Sequence, residues 1–209
     1  MLGELPLVAW TIRAALESGC CTDVLVSTDD ETIAGVARQY GASVPWLRPA
    51  ELASDTALSV EVALHALELY EETNGSVDGL LLLQATSPFR SSDSICRAVA
   101  LFAEEAARYS VVSMSPAGTH PAWCFRRTGD GIEPFLGWEK IGSRSQDLEP
   151  ALVPNGAIYL ISPIKLRQEK KFIFANTIPF VLSEKRESID IDTETDWIEA
   201  VQKLTVVSG

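Results

Sequence analysis

Three stretches of the chain carry side chains suited to a charged, polar ligand. In Gln84-Ala-Thr-Ser-Pro-Phe-Arg90, an amide, the Ser87 hydroxyl and a guanidinium follow directly on an apolar run from Gly79 to Leu83. In Ser188-Ile-Asp-Ile-Asp-Thr193, apolar residues alternate with Asp190 and Asp192. Alternation in an extended segment puts both carboxylates on one side, where their oxygens can share a divalent cation such as Mg²⁺. The third stretch, Arg48-Pro-Ala-Glu-Leu-Ala-Ser-Asp-Thr-Ala-Leu-Ser59, is a polar loop opening a helix whose first-turn amides can meet an anion or a base. Each has a plainer reading: a turn followed by a helix cap, an Asp192 or Thr193 cap with Asp190 solvated, and an ordinary loop. A phosphatase-type aspartyl nucleophile is poorly supported, because no lysine and second acidic cluster lie downstream to complete it. His65 reads as a helix residue, and His120, before Pro121, as a loop residue able to line a pocket.

The elements that must position these residues alternate in type. The Gly79–Leu83 run is too short for a helix and lacks strict alternation, which suits a strand buried on both faces of a parallel sheet. Polar residues just past such a strand's carboxyl end lie where open α/β sheets bind ligands. A helix is predicted from Leu7 to Glu17, with Leu7, Val8, Ile12 and Leu16 on one face and Gly19 beyond its end. Strands are predicted over Asp23–Ser27 and Ser43–Trp46, separated by a helix from Glu31 to Tyr40. Helices from Leu58 to Glu72 and from the Ser91-Ser-Asp93 cap to Arg108 flank the Gly79 strand, and a strand over Ser110–Met114 follows. Residues 115–154 are loop-rich and aromatic, with a Gly129-Asp130-Gly131 turn that fits a small antiparallel excursion. The chain ends with a strand over Asn155–Ile161, a short helix over Ser162–Lys171, a strand over Thr177–Leu182, and a helix placing Trp197, Ile198, Val201 and Leu204 toward the core. Strands alternating with helices define a doubly wound α/β sheet.

Composition narrows the function. The 209 residues carry a net charge of -12, which disfavours nucleic-acid and anionic-membrane surfaces because both need clustered Lys and Arg. An anionic small molecule remains compatible, since a few local cations can outweigh the average. No apolar run approaches a membrane span and no signal peptide opens the chain, so the expectation is a cytoplasmic protein. Cys20, Cys21, Cys96 and Cys124 have no metal-ligand spacing with the histidines and read as reduced thiols.

Five ordered motifs resemble the acylneuraminate cytidylyltransferases, or CMP-sialic acid synthetases: Val26-Ser-Thr-Asp-Asp30, Leu47-Arg-Pro-Ala-Glu-Leu-Ala-Ser-Asp-Thr-Ala57, Leu82-Leu-Gln-Ala-Thr-Ser-Pro-Phe-Arg90, Pro154-Asn-Gly-Ala-Ile-Tyr159 and Ser188-Ile-Asp-Ile-Asp-Thr193. The resemblance covers essentially the whole chain. It implies a single domain over 1–209 with a Rossmann-like, mostly parallel sheet of the nucleotide-diphospho-sugar transferase type, and a dimerisation and sugar-binding excursion over 115–175. It also implies that CTP is coupled to the anomeric hydroxyl of a nine-carbon keto-sugar acid, with release of pyrophosphate, by a homodimer. On this resemblance Arg48, Ala57 and Ser59 contact the cytidine side. Gln84, Arg90, Asn155, Tyr159 and Phe172 contact the sugar acid, and Asp190 and Asp192 are the catalytic pair that holds Mg²⁺. The family opens with a strand and a basic glycine-rich loop that holds the triphosphate, and the match here begins after them, which reads as a late-assigned start codon or a shortened chain. Val153 and Ser145 stand where many relatives are basic, although Arg144 can substitute by a one-residue shift. Two further readings are a non-catalytic dimeric remnant that binds nucleotide or sugar, and a synthetase of the CMP-KDO type acting on the eight-carbon lipopolysaccharide sugar, which the motifs around Gln84 and Asn155 fit less well.

Overall fold

The computed structural model describes residues 1–54, 56–182 and 184–205; Asp55 of the loop motif lies outside them. Helix α1 (Leu7–Ser18) ends at Gly19 with φ of 62°, a left-handed cap that costs glycine no Cβ clash. Helix α2 (Glu31–Gln39) starts at Asp30, whose carboxylate accepts from the Thr32 and Ile33 amides and is held below the usual carboxylate range by those bonds. Helix α3 (Ser59–Asn74) leads to β1 (Leu80–Leu82). Helix α4 (Ser92–Glu104) is capped by the Ser91 hydroxyl on the Ser94 amide. It stops before the predicted Arg108, because Ala106 and Ala107 take positive φ. Strand β2 (Val111–Pro116) is followed by the hairpin β3 (Phe125–Thr128) and β4 (Gly131–Pro134), closed at the expected glycine turn. Then come β5 (Leu152–Ile161), α5 (Pro163–Glu169), β6 (Ile178–Val181) and α6 (Glu194–Thr205).

The main sheet has the order β1-β5-β2-β6. Strands β1 and β2 are each antiparallel to β5, and β6 is parallel to β2, so three of the four strands run one way and β5 opposes them. The predicted strands over 23–27 and 43–46 shrink to a single parallel bridge, Leu25 to Ser43. The sheet is therefore interrupted between this bridge and β1.

Packing on the two faces of β1 alternates as its sequence requires. Leu81 and Leu83 pack with Ile95, Phe102 and Leu160 on the α4 side, while Leu80 and Leu82 pack with Ala63, Leu67 and Ile161 on the α3 side. Along its free edge, however, β1 opens to a cavity, so its leucines are half-buried rather than fully buried. Helix α1 buries Ala9, Thr11, Ile12, Ala14 and Ala15 and leaves Leu16 exposed, which corrects the predicted leucine face. Small residues allow α1 to lie close to α4. In α6, Ala200 is buried and Trp197 and Leu204 pack on Leu2, Phe89 and Ile189, whereas Ile198 and Val201 face outward, contrary to expectation. Among the described residues no helix is long and apolar enough to cross a membrane.

Candidate active site

The turn after β1 is fixed from behind by Arg90. Its guanidinium is 2% exposed and donates from Nε to the Ala157 carbonyl (2.6 Å), from Nη1 to Thr11 Oγ1 (2.9 Å) and from Nη2 to the Gln84 carbonyl (2.5 Å). Burial lowers its pKa to about 9, opposed by the charges of Asp190 and Glu187. It stays protonated at neutral pH. The bonds of Arg90, a residue expected on the sugar side, tie α1, the β1 turn and β5 together. Glu187, equally buried, accepts from the Ser91 amide (2.6 Å) and from the Ser94 hydroxyl (3.0 and 2.9 Å), placing a carboxylate at the amino end of α4 where the helix dipole favours it.

That anchor delivers the acidic segment to the site. The Ile191 amide bonds the Thr86 carbonyl at 2.8 Å, so residues 189–192 run alongside the turn, with Ile189 buried and Asp190 half-exposed. Ser87 Oγ donates to Asp190 Oδ1 at 3.5 Å. Asp192 is exposed, and the cap of α6 is Thr193, which exchanges bonds with Asp196 in a reciprocal box. Asp192 is thus not spent as a side-chain cap.

Gly156 is the point over which these groups meet. A Cβ built there would lie 2.6 Å from Gln84 Oε1, 2.8 Å from Asp190 Oδ2 and 3.2 Å from Ser87 Oγ, and its φ is 77°. Only a glycine leaves room for an amide and a carboxylate to converge there. The conformation arises because β5 bulges against β2 between Val112 and Met114. Asn155 holds the bulge: Oδ1 accepts from Ser113 Oγ (2.5 Å) and the Ala157 amide (3.3 Å), and Nδ2 donates to Ser115 Oγ (2.9 Å). Asn155, expected on the sugar side, is thus buried, with its amide bonded to the Ser113 and Ser115 hydroxyls and the Ala157 amide. A Gly156→Ala variant is expected to lose about 1–2 kcal/mol of stability from the positive φ and the displaced side chains. Turnover should fall further than stability does, which parallel denaturation and steady-state measurements would show.

Two adjoining cavities lie in front of this framework. The smaller, about 270 Å³, is lined by Ser59, Leu82, Gln84, Tyr159, Lys171, Phe172 and Ile173. The Tyr159 and Phe172 rings form its aromatic wall, with centroids 5.4 Å apart. Phe172 comes from the loop after α5 of the same chain. Burial first, and the Asp190 charge second, raise the Tyr159 phenol above its ordinary pKa. This group therefore stabilises the fold below the unfolded tyrosine pKa of about 10, and that contribution is lost as pH rises through the higher folded value. In Asp190→Asn the phenol should titrate closer to its ordinary value, which ultraviolet difference titration against a Tyr159→Phe control would detect.

The larger cavity, about 1080 Å³, runs between Val24–Ser27 and β1, and includes Arg48, Ala57 and Ser59. Ser59 and Leu82 line both spaces, so the predicted cytidine-side and sugar-side residues share a wall. Arg48 lies 3.5 Å from Asp29, while its Nε is buried with no partner, as is Ser27 Oγ on the same cavity. Buried polar atoms without partners are rare and mark places where a ligand or water completes the bonding. Sequence reasoning missed Ser27, Gly156 and Lys171 as site residues. The first two stood inside the quoted motifs, whereas Lys171 had no signal beyond preceding Phe172. His120 caps the Ala122 amide and bonds the Glu149 carbonyl at 3.0 Å, so it does not line either cavity.

Comparison with known proteins identifies the fold and the family. Among solved structures, a CMP:2-keto-3-deoxy-manno-octonic acid synthetase complexed with CTP superposes with a TM-score of 0.67 at 12% identity, over 100% of this chain and 91% of that one. A 4-diphosphocytidyl-2C-methyl-D-erythritol synthase from Anaerococcus prevotii does so with a TM-score of 0.65 at 12% identity, over 98% and 91%. These likenesses show the fold, a Rossmann-like α/β fold shared with nucleotidyltransferases. In sequence, the family described as Cytidylyltransferase matches residues 1–121. The CMP-N,N'-diacetyllegionaminic acid synthase of Legionella pneumophila is 40% identical over 205 residues, covering 94% of this chain and 84% of that protein. The N-acylneuraminate cytidylyltransferase of Streptococcus agalactiae is 34% identical over 206 residues, 97% of this chain, which spans 48% of that protein's length. The chain belongs to the cytidylyltransferase family. It is a nucleotidyltransferase of the acylneuraminate cytidylyltransferase type.

Proposed function

We propose that this protein transfers CMP from CTP to the anomeric hydroxyl of a nonulosonic acid in the cytoplasm, releasing pyrophosphate. The observation that carries the proposal is the shared wall: Ser59 and Leu82 separate a cavity bearing Arg48 and Ala57 from a pocket bearing Gln84, Tyr159 and Phe172. A nucleotide seated on the Arg48 side would satisfy the unpartnered Nε. The sugar would lie against the Tyr159–Phe172 wall with the Gln84 amide fixing its orientation. Holding both reactants across one wall turns a bimolecular encounter into a positioned one. Arg90 and Asn155 act from behind, as positioning residues for Gln84, Asp190 and Gly156.

A magnesium ion fits the acceptors present. Gln84 Oε1 and Asp190 Oδ2 converge over Gly156, and Asp192 is free of capping bonds from its side chain. Among the described residues no three or more carboxylate, imidazole or thiol groups gather to form a closed protein cage. That suits Mg²⁺, which keeps waters and relies on one or two carboxylates plus substrate phosphates. Asp190 and Asp192 would hold it, and it would supply charge neutralisation at the triphosphate.

The test is pyrophosphate release from CTP and Mg²⁺ with a panel of N-acetylneuraminic, N,N'-diacetyllegionaminic and pseudaminic acids and an eight-carbon keto-sugar acid. Release with a nine-carbon acid supports the proposal. Release with the eight-carbon acid alone, or CTP binding without turnover, overturns it.

The excursion supports a homodimer. Ile132, Phe135 and Trp138 on and beyond the β3–β4 hairpin are 57–62% exposed, and the exposed Phe125 ring lies 6.4 Å from that of Trp138; exposed apolar side chains on one small element suit an interaction surface. Phe135→Glu combined with Trp138→Glu should halve the mass measured by light scattering without unfolding the chain.

A further inference from the structure

None of the four cysteines is among the residues proposed to contact substrate, although Cys20 and Cys21 line the larger cavity, and two of the four are placed for chemistry. Cys20 lies just beyond the left-handed cap of α1 and is exposed, while Cys96 lies on α4 and is half-buried. Although 76 residues apart in sequence, their sulfurs are 3.1 Å apart. Both thiols also reach one acceptor, the Ser18 carbonyl, at 3.4 Å from Cys20 and 3.2 Å from Cys96. The shared carbonyl keeps the sulfurs together rather than leaving their proximity to chance rotamers. A disulfide needs a sulfur separation of about 2 Å, so closure requires a displacement of roughly 1 Å. Burial raises the Cys21 thiol pKa, with the neighbouring Cys20 charge adding to the effect and a bond to the Ser18 side chain opposing it.

We propose that Cys20 and Cys96 are an oxidation site, a dithiol that a low-molecular-weight disulfide converts into a cross-link between the end of α1 and α4. Exposed Cys20, as its thiolate, attacks one sulfur of the oxidant; the oxidant's S–S bond breaks, one thiol leaves, and a mixed disulfide forms on Cys20. Cys96 then gives up its proton to solvent and attacks Cys20 Sγ, breaking the mixed disulfide and releasing the second thiol. The two protein thiols lose two electrons and two protons, and the oxidant's disulfide is reduced to two thiols. The bond would pin the helix whose Thr11 hydroxyl accepts from Arg90 and donates to the Gln84 carbonyl, and so would brace the back of the active site.

The experiment treats the full chain with glutathione disulfide, follows the intact mass, maps the linked peptides and records thermal unfolding. The expected product has lost two hydrogens, carries no glutathione, links Cys20 to Cys96, and melts on the order of 10 °C higher because a long loop is closed in the unfolded chain. Cys96→Ser should stop at the glutathione adduct on Cys20, and Cys20→Ser should yield no cross-link to Cys96. A stable adduct on the unaltered chain, a link to Cys21, Cys124 or a second molecule, or no reaction would each overturn the proposal.

Discussion

Asp190→Asn should lower turnover on the order of 10²- to 10³-fold, the scale seen when a charge-stabilising group is removed from a site of developing negative charge. The substitution keeps the side chain's shape. Its amide oxygen can still accept from Ser87 Oγ, and the Ile191-to-Thr86 backbone bond that places the segment is untouched. The melting temperature should therefore stay within a few degrees of the unaltered protein. What is lost is the negative oxygen near Gln84 Oε1, which in the proposed function would hold the cation against the triphosphate. Pyrophosphate release at several Mg²⁺ concentrations checks the point: the variant should need more metal and still turn over slowly. Unchanged turnover at low Mg²⁺ would remove Asp190 from the catalytic pair.

Arg90→Met has the largest expected effect on stability. Removing the guanidinium takes the side-chain donor from the Ala157 carbonyl and from the Thr11 hydroxyl, and leaves the Gln84 carbonyl with only the longer bonds from the Thr11 hydroxyl (3.4 Å) and the Ser87 amide (3.3 Å). It also leaves the buried Glu187 without a cation whose charge it feels. Stranding a buried acceptor costs about 1–3 kcal/mol and losing a hydrogen bond from a charged group about 1.5–3 kcal/mol, so the loss should reach several kcal/mol. Denaturant titration should show a corresponding fall in midpoint with an unchanged slope. Arg90→Lys restores the charge but not the three directions of the fork, so it should recover part of the stability. In that variant kcat should remain more depressed than substrate binding, because the displaced groups are the ones that orient the reacting atoms. A Lys variant that is as active as the parent would mean that Arg90 contributes charge alone.

Much of the fold was legible in sequence because its signals are local. The Asp30 and Ser91 caps, the glycines at 19 and 75 and the hairpin turn at 129–131 each fix a boundary through one residue's own chemistry. Faces were harder. Leucine spacing in α1 pointed to one side, yet the alanines face inward because α1 and α4 pack closely, and that depends on the partner helix. The end of α4 at Glu104 had no signal, since Ala106 and Ala107 take positive φ without a glycine.

The site showed the same division. The motifs pointed to Gln84, Tyr159 and Asp190 and the family resemblance to Phe172, but motifs do not say which polar residue faces a ligand. Arg90 and Asn155 are as polar as Gln84, yet both turn inward and bond to backbone or hydroxyls. The difference is set by a bulge in β5 and by Glu187, whose contacts to residues 91 and 94 span more than ninety positions of sequence.

The central claim is tested most directly by a crystal structure with Mg²⁺, a non-hydrolysable CTP analogue and a nonulosonic acid. The account predicts the cytidine beside Arg48, Ala57 and Ser59, the sugar between Gln84 and the Tyr159–Phe172 wall, and the cation on Asp190 and Asp192. Nucleotide density away from Arg48, or a sugar on a surface remote from Gln84, would contradict it.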